Sequence, residues 1–448
     1  MRASPFILGL IGLSSLAASG CSWSRFDDIT FDSPIVLFEK PGSMKTGFGV
    51  SLSTLTREGD TSVLVGGAVG ASGAALYHIG DGESPGTTSV DSGYCTGGSA
   101  QCFLSSSFGA FANATSGISR PQCYAVGTGS VGDPGIMVRC LDATEYPLTI
   151  PPGALKLLDF SLRESQPYDY PMATDRTDDP VMLVTLPYQQ LAWFYPSKSN
   201  KFSELSAPKG LIDSADKSFG NTLAVLHVGS SRVLAVGYPG KSEVLFWKTD
   251  GGAGSSYIGC LGGVPGLGRA LAAGNVNKDD VNDLVISDDT NVNVIDGQAL
   301  AALPETDSTE CSFSSLPSGA LLGSFGCGSS SSTSNCEGSA FGAAVAIGDL
   351  DNDGDGEVIV GAPQMTVRGK SSAGAVLVYD VETPADAALV EVKFLSSAES
   401  NDNLGAVLAT PHIKGRDLIV AGAPGNGKAA LFYCSSLLPH GAAGSRCP

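Results

Sequence analysis

The sequence predicts an all-β protein assembled from repeated units of short strands. Three observations carry that prediction: a glycine-rich, charge-poor composition, a recurring pattern built on Phe-Gly, and β-branched runs of strand length that end in glycine. The 448 residues include 58 glycines, and only 16% are charged, against roughly 25% in ordinary soluble chains. Such a chain favours tight turns between short strands over long helices. With 42% hydrophobic residues there is ample material for a core, and glycine plus proline stay below the level of a low-complexity chain. The 26 basic against 45 acidic residues give a net charge of −19. That balance, with no basic run, argues against nucleic acid as a partner, since phosphate binding needs clustered Lys and Arg.

The chain opens with Arg2, an apolar stretch from Phe6 to Leu16, and Ala17-Ala18-Ser19-Gly20 before Cys21. The stretch is too short to span a bilayer as a helix and has the form of a secretory h-region. Residues 1–20 are therefore expected to be a signal peptide and 21–31 a linker. The small residues before Cys21 resemble the lipobox of bacterial lipoproteins, with Ala18 where that family usually has Leu. The resemblance implies that Cys21 carries a lipid anchor, the chain's one membrane contact. It also implies, with Ser22 next, sorting to the outer membrane or cell surface of a Gram-negative bacterium. The alternative is ordinary secretion to the periplasm or beyond, with Cys21 free.

Of 11 cysteines, ten remain once Cys21 is set apart. Export makes disulfides the leading reading of an even set. Close pairs are Cys95 with Cys102, Cys123 with Cys140, Cys260 with Cys311, Cys327 with Cys336, and Cys434 with Cys447. No CxxC spacing with nearby histidines suggests a metal instead.

The internal repeat organises residues 32–435, leaving 436–448 as a tail. Phe48-Gly49, Phe219-Gly220 and Phe341-Gly342 each open a run of alternating apolar and small residues. Each continues to a β-branched run ending in glycine, at Ser62–Gly67, Val233–Pro239 and Val358–Pro363, and then to a third strand-like segment. Further units start near Phe108, Leu267 and Leu404. A degenerate copy lies between 108 and 219, with Leu158–Phe160, Val181–Val184 and Leu191–Tyr195 as its strands. Seven units of this spacing suit the blades of a seven-bladed β-propeller. The segment Ile35–Phe38 is expected to pair with the last unit and close the ring. Gly49, Gly220 and Gly342 are expected to allow close backbone approach near the propeller axis.

These units resemble FG-GAP repeats, named for Phe-Gly and the Gly-Ala-Pro after the second strand. Phe341-Gly342 with Gly361-Ala362-Pro363 is a full match, and Leu404-Gly405 with Gly422-Ala423-Pro424 is nearly one. The resemblance implies the propeller of integrin α subunits and a binding or adhesion role.

Two loops carry candidate metal ligands. In 349–357, alternating carboxylates cross a glycine turn and set several oxygens on one side, as a hard cation requires; Ca²⁺ takes about 6–8 oxygens. Asp349, Asp351, Asp353 and Glu357 are assigned as side-chain ligands and Asp355 as a carbonyl ligand. The preceding unit repeats the frame, with Asn275, Asn277, Asp279 and Asp283 as side-chain ligands and Val281 as a carbonyl ligand. With two carboxylates for four, this second site is expected to bind Ca²⁺ more weakly, and Lys278 between its ligands is expected to point to solvent. Neither loop is an EF-hand, because the twelfth positions, Val360 and Ile286, fall in strand-like runs.

No catalytic constellation is legible. There is no Gly-x-Ser-x-Gly elbow and no HExxH. Gly240-Lys241-Ser242 and Gly369-Lys370-Ser371 lack the leading glycine of a phosphate loop and read as turns, and Gly415-Arg416-Asp417 reads as a turn before the strand from Leu418. The expected function is a rigid calcium-bearing surface for a protein or glycan partner at the cell envelope, with inserts 81–104 and 301–338 as candidate recognition loops. A calcium-dependent carbohydrate-active enzyme and a structural subunit of an envelope complex are the alternatives.

Overall fold

The computed structural model describes residues 35–39, 48–57, 60–66, 74–79, 86–90, 103–112, 122–130, 133–141, 147–149, 172–174, 181–186, 190–194, 203–213, 216, 218–250, 254–327, 338–381, 388–413 and 416–432. They form seven four-stranded antiparallel sheets and one two-stranded hairpin. The first sheet runs Ser51–Arg57, Asp60–Gly66, Ala74–Ile79 and Gly86–Val90, and the second Phe103–Ala112, Gln122–Ser130, Asp133–Leu141 and Pro147–Thr149. The third holds Met172–Thr174, Met182–Leu186, Gln190–Phe194 and Ser203–Glu204, and the fourth Thr222–Val228, Ser231–Tyr238, Glu243–Thr249 and Ser256–Gly262. The fifth holds Leu271–Gly274, Asp283–Ser287, Asn291–Ile295 and Leu321–Gly326, with a short α-helix, α1 (Gly297–Ala301), and a 3-10 turn (Phe313–Ser315) before its last strand. The sixth runs Ala344–Gly348, Glu357–Ala362, Ala375–Asp380 and Ala388–Lys393.

The seventh sheet is built from both ends of the chain. Leu408–Ala409, Ile419–Ala423 and Lys428–Phe432 are followed in the sheet by Ile35–Glu39, which pairs antiparallel with Lys428–Phe432 from Ile35 opposite Phe432 to Glu39 opposite Lys428. The early strand therefore supplies the outer edge of the last sheet, as its apolar run predicts. It leaves Lys428–Phe432 no open edge for another chain to pair with.

First strands of successive sheets lie side by side from Ser51–Arg57 through to Leu408–Ala409, which lies beside Ser51–Arg57 in turn. The first strands of the first sheet and of the third to seventh sheets line a cavity of about 410 Å³ with small and aliphatic side chains such as Ala173, Ala224, Ala273, Ala346 and Ala409. The sheets stack face to face, and the alternation of side chains along each strand feeds two cores at once. Leu234 and Val236 join Val181, Leu183 and Phe219 on one face of the fourth sheet. Val233 and Ala235 join Leu284 and Ile286 on the other. Both faces are buried, which is why this strand reads as an unbroken apolar run.

The Phe-Gly pair has two separable jobs. Its aromatic or leucine is a core anchor: Phe48, Leu267 and Leu404 are fully buried, and Phe219 meets Tyr238 edge-on at 5.2 Å. Its glycine joins sheets. The N–H of Gly405 donates to the carbonyl of Gly422 in its own unit at 3.0 Å, while a Cβ on Gly361 of the preceding unit would fall on the Gly405 carbonyl. The same contact brings Gly237 to Gly268 and Gly422 to Gly49. A Cβ on Gly49, Gly220 or Gly342 would meet Lys428, Thr185 or Ser287 of the preceding sheet, so these glycines allow the close approach expected of them at the junctions between sheets.

The degenerate third unit differs from the expectation. Its first strand is Met172–Thr174, with Met172 opposite Val184, and Leu158–Phe160 lies outside the described residues. In the second unit Phe108 and Gly109 sit inside the strand Phe103–Ala112, next to a register shift, and do not precede it. The insert 301–338 is not a free loop throughout: Leu321–Gly326 is the outer strand of the fifth sheet. In the insert 81–104, Gly86–Val90 likewise forms the outer strand of the first sheet.

Candidate metal centre

The loop 349–357 joins the first two strands of the sixth sheet at one end of the central cavity, which Asp349 and Asp355 help to line. Its turn is wound by two left-handed residues, Asn352 (φ 62°) and Gly354 (φ 100°). These are residue types that tolerate that conformation. Asp349 fixes the turn from inside: its Oδ1 accepts from the N–H of Asp353 at 3.1 Å and its Oδ2 from that of Gly354 at 3.2 Å. Asp349, Asp351 and Asp353 come together, each offering an oxygen within 4.8 Å of the others. Asp351 Oδ1 is buried and has no hydrogen-bond partner. Burial, with the charges of Asp353 and Asp349, raises the Asp351 carboxyl above its ordinary range.

Glu357 opens the second strand and is 4% exposed. Its Oε2 accepts from the N–H of Leu350 at 2.7 Å, and burial pushes its carboxyl up to about 8. Outside the loop, Asp417 braces Asp349 twice. Its N–H donates to the Asp349 carbonyl at 2.9 Å, and its Oδ2 accepts from the Asp349 N–H at 3.2 Å. His412 Nδ1 lies 3.0 Å from the other Asp417 oxygen. Arg416 and Asp417 are not a bare turn but one side of the hairpin with His412–Ile413.

The loop 275–283 follows the same template. Left-handed residues stand at its fourth and sixth places, Lys278 and Asp280, both at φ 61°. Asp283 opens the next strand, accepting from the N–H of Val276 at 3.0 Å as Glu357 does from Leu350. The Asp283 carboxylate is 0% exposed, also accepts from the N–H of Gly297 at 3.1 Å, and is raised to about 7 chiefly by burial. Asn275 and Asn277 accept from the N–H groups of Asn277 and Asp279 at 3.2 Å each, and Asp279 accepts from Val281 N–H at 2.9 Å and from Gln298 of α1 at 3.0 Å. Its oxygens are already engaged within the protein, whereas 349–357 keeps one buried oxygen unmatched.

Lys278 corrects the expectation that it points away. Half exposed, it reaches across to the sixth sheet, with its ammonium 2.8 Å from Asp353 Oδ2 and 3.1 Å from Asp355 Oδ1. Those hydrogen bonds raise its own pKa. Asp353 is held below the usual carboxylate range by hydrogen bonding with Asp355 and by Lys278. Burial raises Asp355 to about 6. A backbone bond from Gly356 N–H to the Asn275 carbonyl, 2.7 Å, ties the two loops together.

Residues 341–379 match the family model of the FG-GAP repeat. The FG-GAP match thus spans Phe341-Gly342, the acidic loop, Gly361-Ala362-Pro363 and the third strand through Tyr379. No curated protein matches the chain. Among solved structures, similar to it is one titled as the crystal structure of BBS1N in complex with ARL6DN, soaked with lead. The identity is 10%, over 90% of this chain and 97% of that one, with a TM-score of 0.47.

Elsewhere, Cys260 and Cys311 form a disulfide, with Cα atoms 4.9 Å apart. It staples the fourth sheet to the segment after α1. Cys327 is also disulfide-bonded, while Cys336 lies outside the described residues. Register sets Cys123 opposite Cys140. Cys21, Cys95, Cys102, Cys434 and Cys447 lie outside the described residues, as does the whole segment 1–34. Among the described residues no helix is long and apolar enough to cross a membrane. Asp417, Gln298 and the reach of Lys278 carry no local signal in the sequence, because their partners lie 68, 19 and 75 positions away.

Proposed function

We propose that this chain is an exported, calcium-binding, seven-bladed β-propeller of the integrin α type that presents a rigid surface to a protein or glycan partner at the cell envelope. The seven sheets are the blades, and Ile35–Glu39 is the clasp of the ring. The observation that carries the calcium reading is Asp351 Oδ1, a buried oxygen with no partner set among two other carboxylates. A buried acceptor left unmatched costs about 1–3 kcal/mol, and a hard cation with oxygen ligands would remove that cost.

Asp349, Asp351, Asp353, Glu357 and the Asp355 carbonyl would hold Ca²⁺, with Asp417 keeping Asp349 in place. Asn275, Asn277, Asp279, Asp283 and the Val281 carbonyl would hold a second, weaker ion. Bound calcium supplies positive charge to a loop that gathers several carboxylates, and so stiffens it. Lipidation of Cys21 would tether the ring to the outer membrane. The role is binding, with no enzymatic step assigned.

Crosslinking in intact cells, followed by capture of the full chain in calcium and in chelator, tests this reading. One partner enriched in calcium and lost on chelation, or on Asp351→Asn, supports it. Calcium-dependent cleavage of an envelope polysaccharide, abolished by changing an acid outside both loops, would overturn it in favour of an enzyme.

A further inference from the structure

We propose that Lys278 is a tethered counter-ion that regulates the 349–357 site: its ammonium neutralises that loop and is displaced when a divalent cation settles there. The inference rests on the calcium reading above and adds to it a residue from the neighbouring sheet that sets the affinity.

Three observations carry it. The ammonium lies 2.8 Å from Asp353 Oδ2 and 3.1 Å from Asp355 Oδ1, and Asp353 contributes one of the three clustered carboxylates. A fixed positive charge on the same carboxylate opposes a divalent ion by direct Coulomb repulsion. The lysine is also held in place. Its neighbours Asn277 and Asp279 are pinned by bonds within their own loop, and the Gly356–Asn275 backbone bond fixes the distance between loops.

The third observation concerns residue type. Lys278 occupies a left-handed position, φ 61°, where Gly or Asn is accommodated at least strain. The equivalent place in the other loop is indeed Asn352, at φ 62°. The turn itself therefore gives no reason for a lysine, and the carboxylates it reaches do. The ammonium acts on both loops, since it is carried by one and neutralises the other, so the state of the first is felt at the second.

Calcium titration calorimetry and chelator melts on the full chain test this, using wild type, Lys278→Met, Lys278→Arg, Asp351→Asn and the Lys278→Met/Asp351→Asn double variant. The expected result is a pair of opposite shifts. Lys278→Met binds Ca²⁺ about fivefold tighter, in keeping with the modest worth of an exposed ion pair, yet melts a few degrees lower in chelator. Lys278→Arg stays close to wild type, and the gain in affinity disappears in the double variant. Wild-type affinity in Lys278→Met, alongside wild-type binding that Asp351→Asn removes, would overturn the proposal while leaving the calcium site standing. A gain that persists in the double variant would also overturn it, by assigning the effect to 275–283. No calcium binding in any protein would overturn this inference together with the reading beneath it.

Discussion

A Cβ on Gly422 would fall on the carbonyl of Gly49, so the last sheet and the first meet through two glycine backbones. The same relationship recurs at Gly361 with Gly405 and at Gly237 with Gly268. It gives a physical meaning to both halves of the repeat. The glycine after Phe or Leu and the glycine before Ala-Pro are needed together, because one packs on the other across the boundary between units. Where the second-strand glycine is absent, Ser287 and Thr185 take its place against Gly342 and Gly220.

Gly405→Ala should therefore cost more than its backbone conformation alone explains. Gly405 sits at φ 86°, and a Cβ there would press on the Ala375 carbonyl; Gly369, at φ 77°, has open space around it. Left-handed strain in a non-glycine residue costs about 1–2 kcal/mol, which is the expected loss for Gly369→Ala. Gly405→Ala is expected to lose about 3 kcal/mol or more, as overpacking adds to strain. Chemical denaturation of both variants gives the difference. Equal losses would remove the sheet-joining role.

Acidity gives a second expectation, for the protein in chelator. Burial raises Glu357 from 4.5 to about 8 and Asp283 from 3.8 to about 7. A carboxyl whose folded pKa lies above its unfolded value binds its proton more tightly in the folded state. Its contribution to stability is complete below the unfolded pKa and is lost as pH rises through the folded one. The melting temperature in chelator should fall between pH 5 and pH 8. Calcium favours the ionised forms, so the gain on adding it should be larger at pH 8 than at pH 5. A chelated melting temperature that rises over that interval contradicts the assignment.

The disulfide between Cys260 and Cys311 spans 51 residues. Chain entropy for a loop of that size corresponds to about 4 kcal/mol. The Cys260→Ser/Cys311→Ser variant should melt several degrees lower, and limited proteolysis should then cut first between 302 and 311. Unchanged melting and an unchanged cleavage pattern would mean that the staple is structurally idle.

Much of this architecture is legible in the sequence because the repeat is local. Phe-Gly, the β-branched run ending in glycine and the acidic loop all fall within one unit, and each says what it needs from its immediate neighbours. The clasp was readable for the same reason, as an isolated apolar run ahead of the first unit. Met172–Thr174 was not, because three residues carry no alternation to detect. Lys278 reads as solvent-facing because its partners lie about 75 positions away, in another repeat. Asp417 was hidden likewise, its link to Asp349 visible only after the sixth and seventh sheets are set side by side.

The central claim is that 349–357 binds a cation through the oxygen that the fold leaves unmatched. Thermal melting of the full chain in calcium and in EDTA, for wild type and Asp351→Asn, tests it most directly. The account predicts a calcium-dependent rise for wild type that EDTA reverses and Asp351→Asn largely removes. A wild-type melting temperature indifferent to both calcium and EDTA would contradict it.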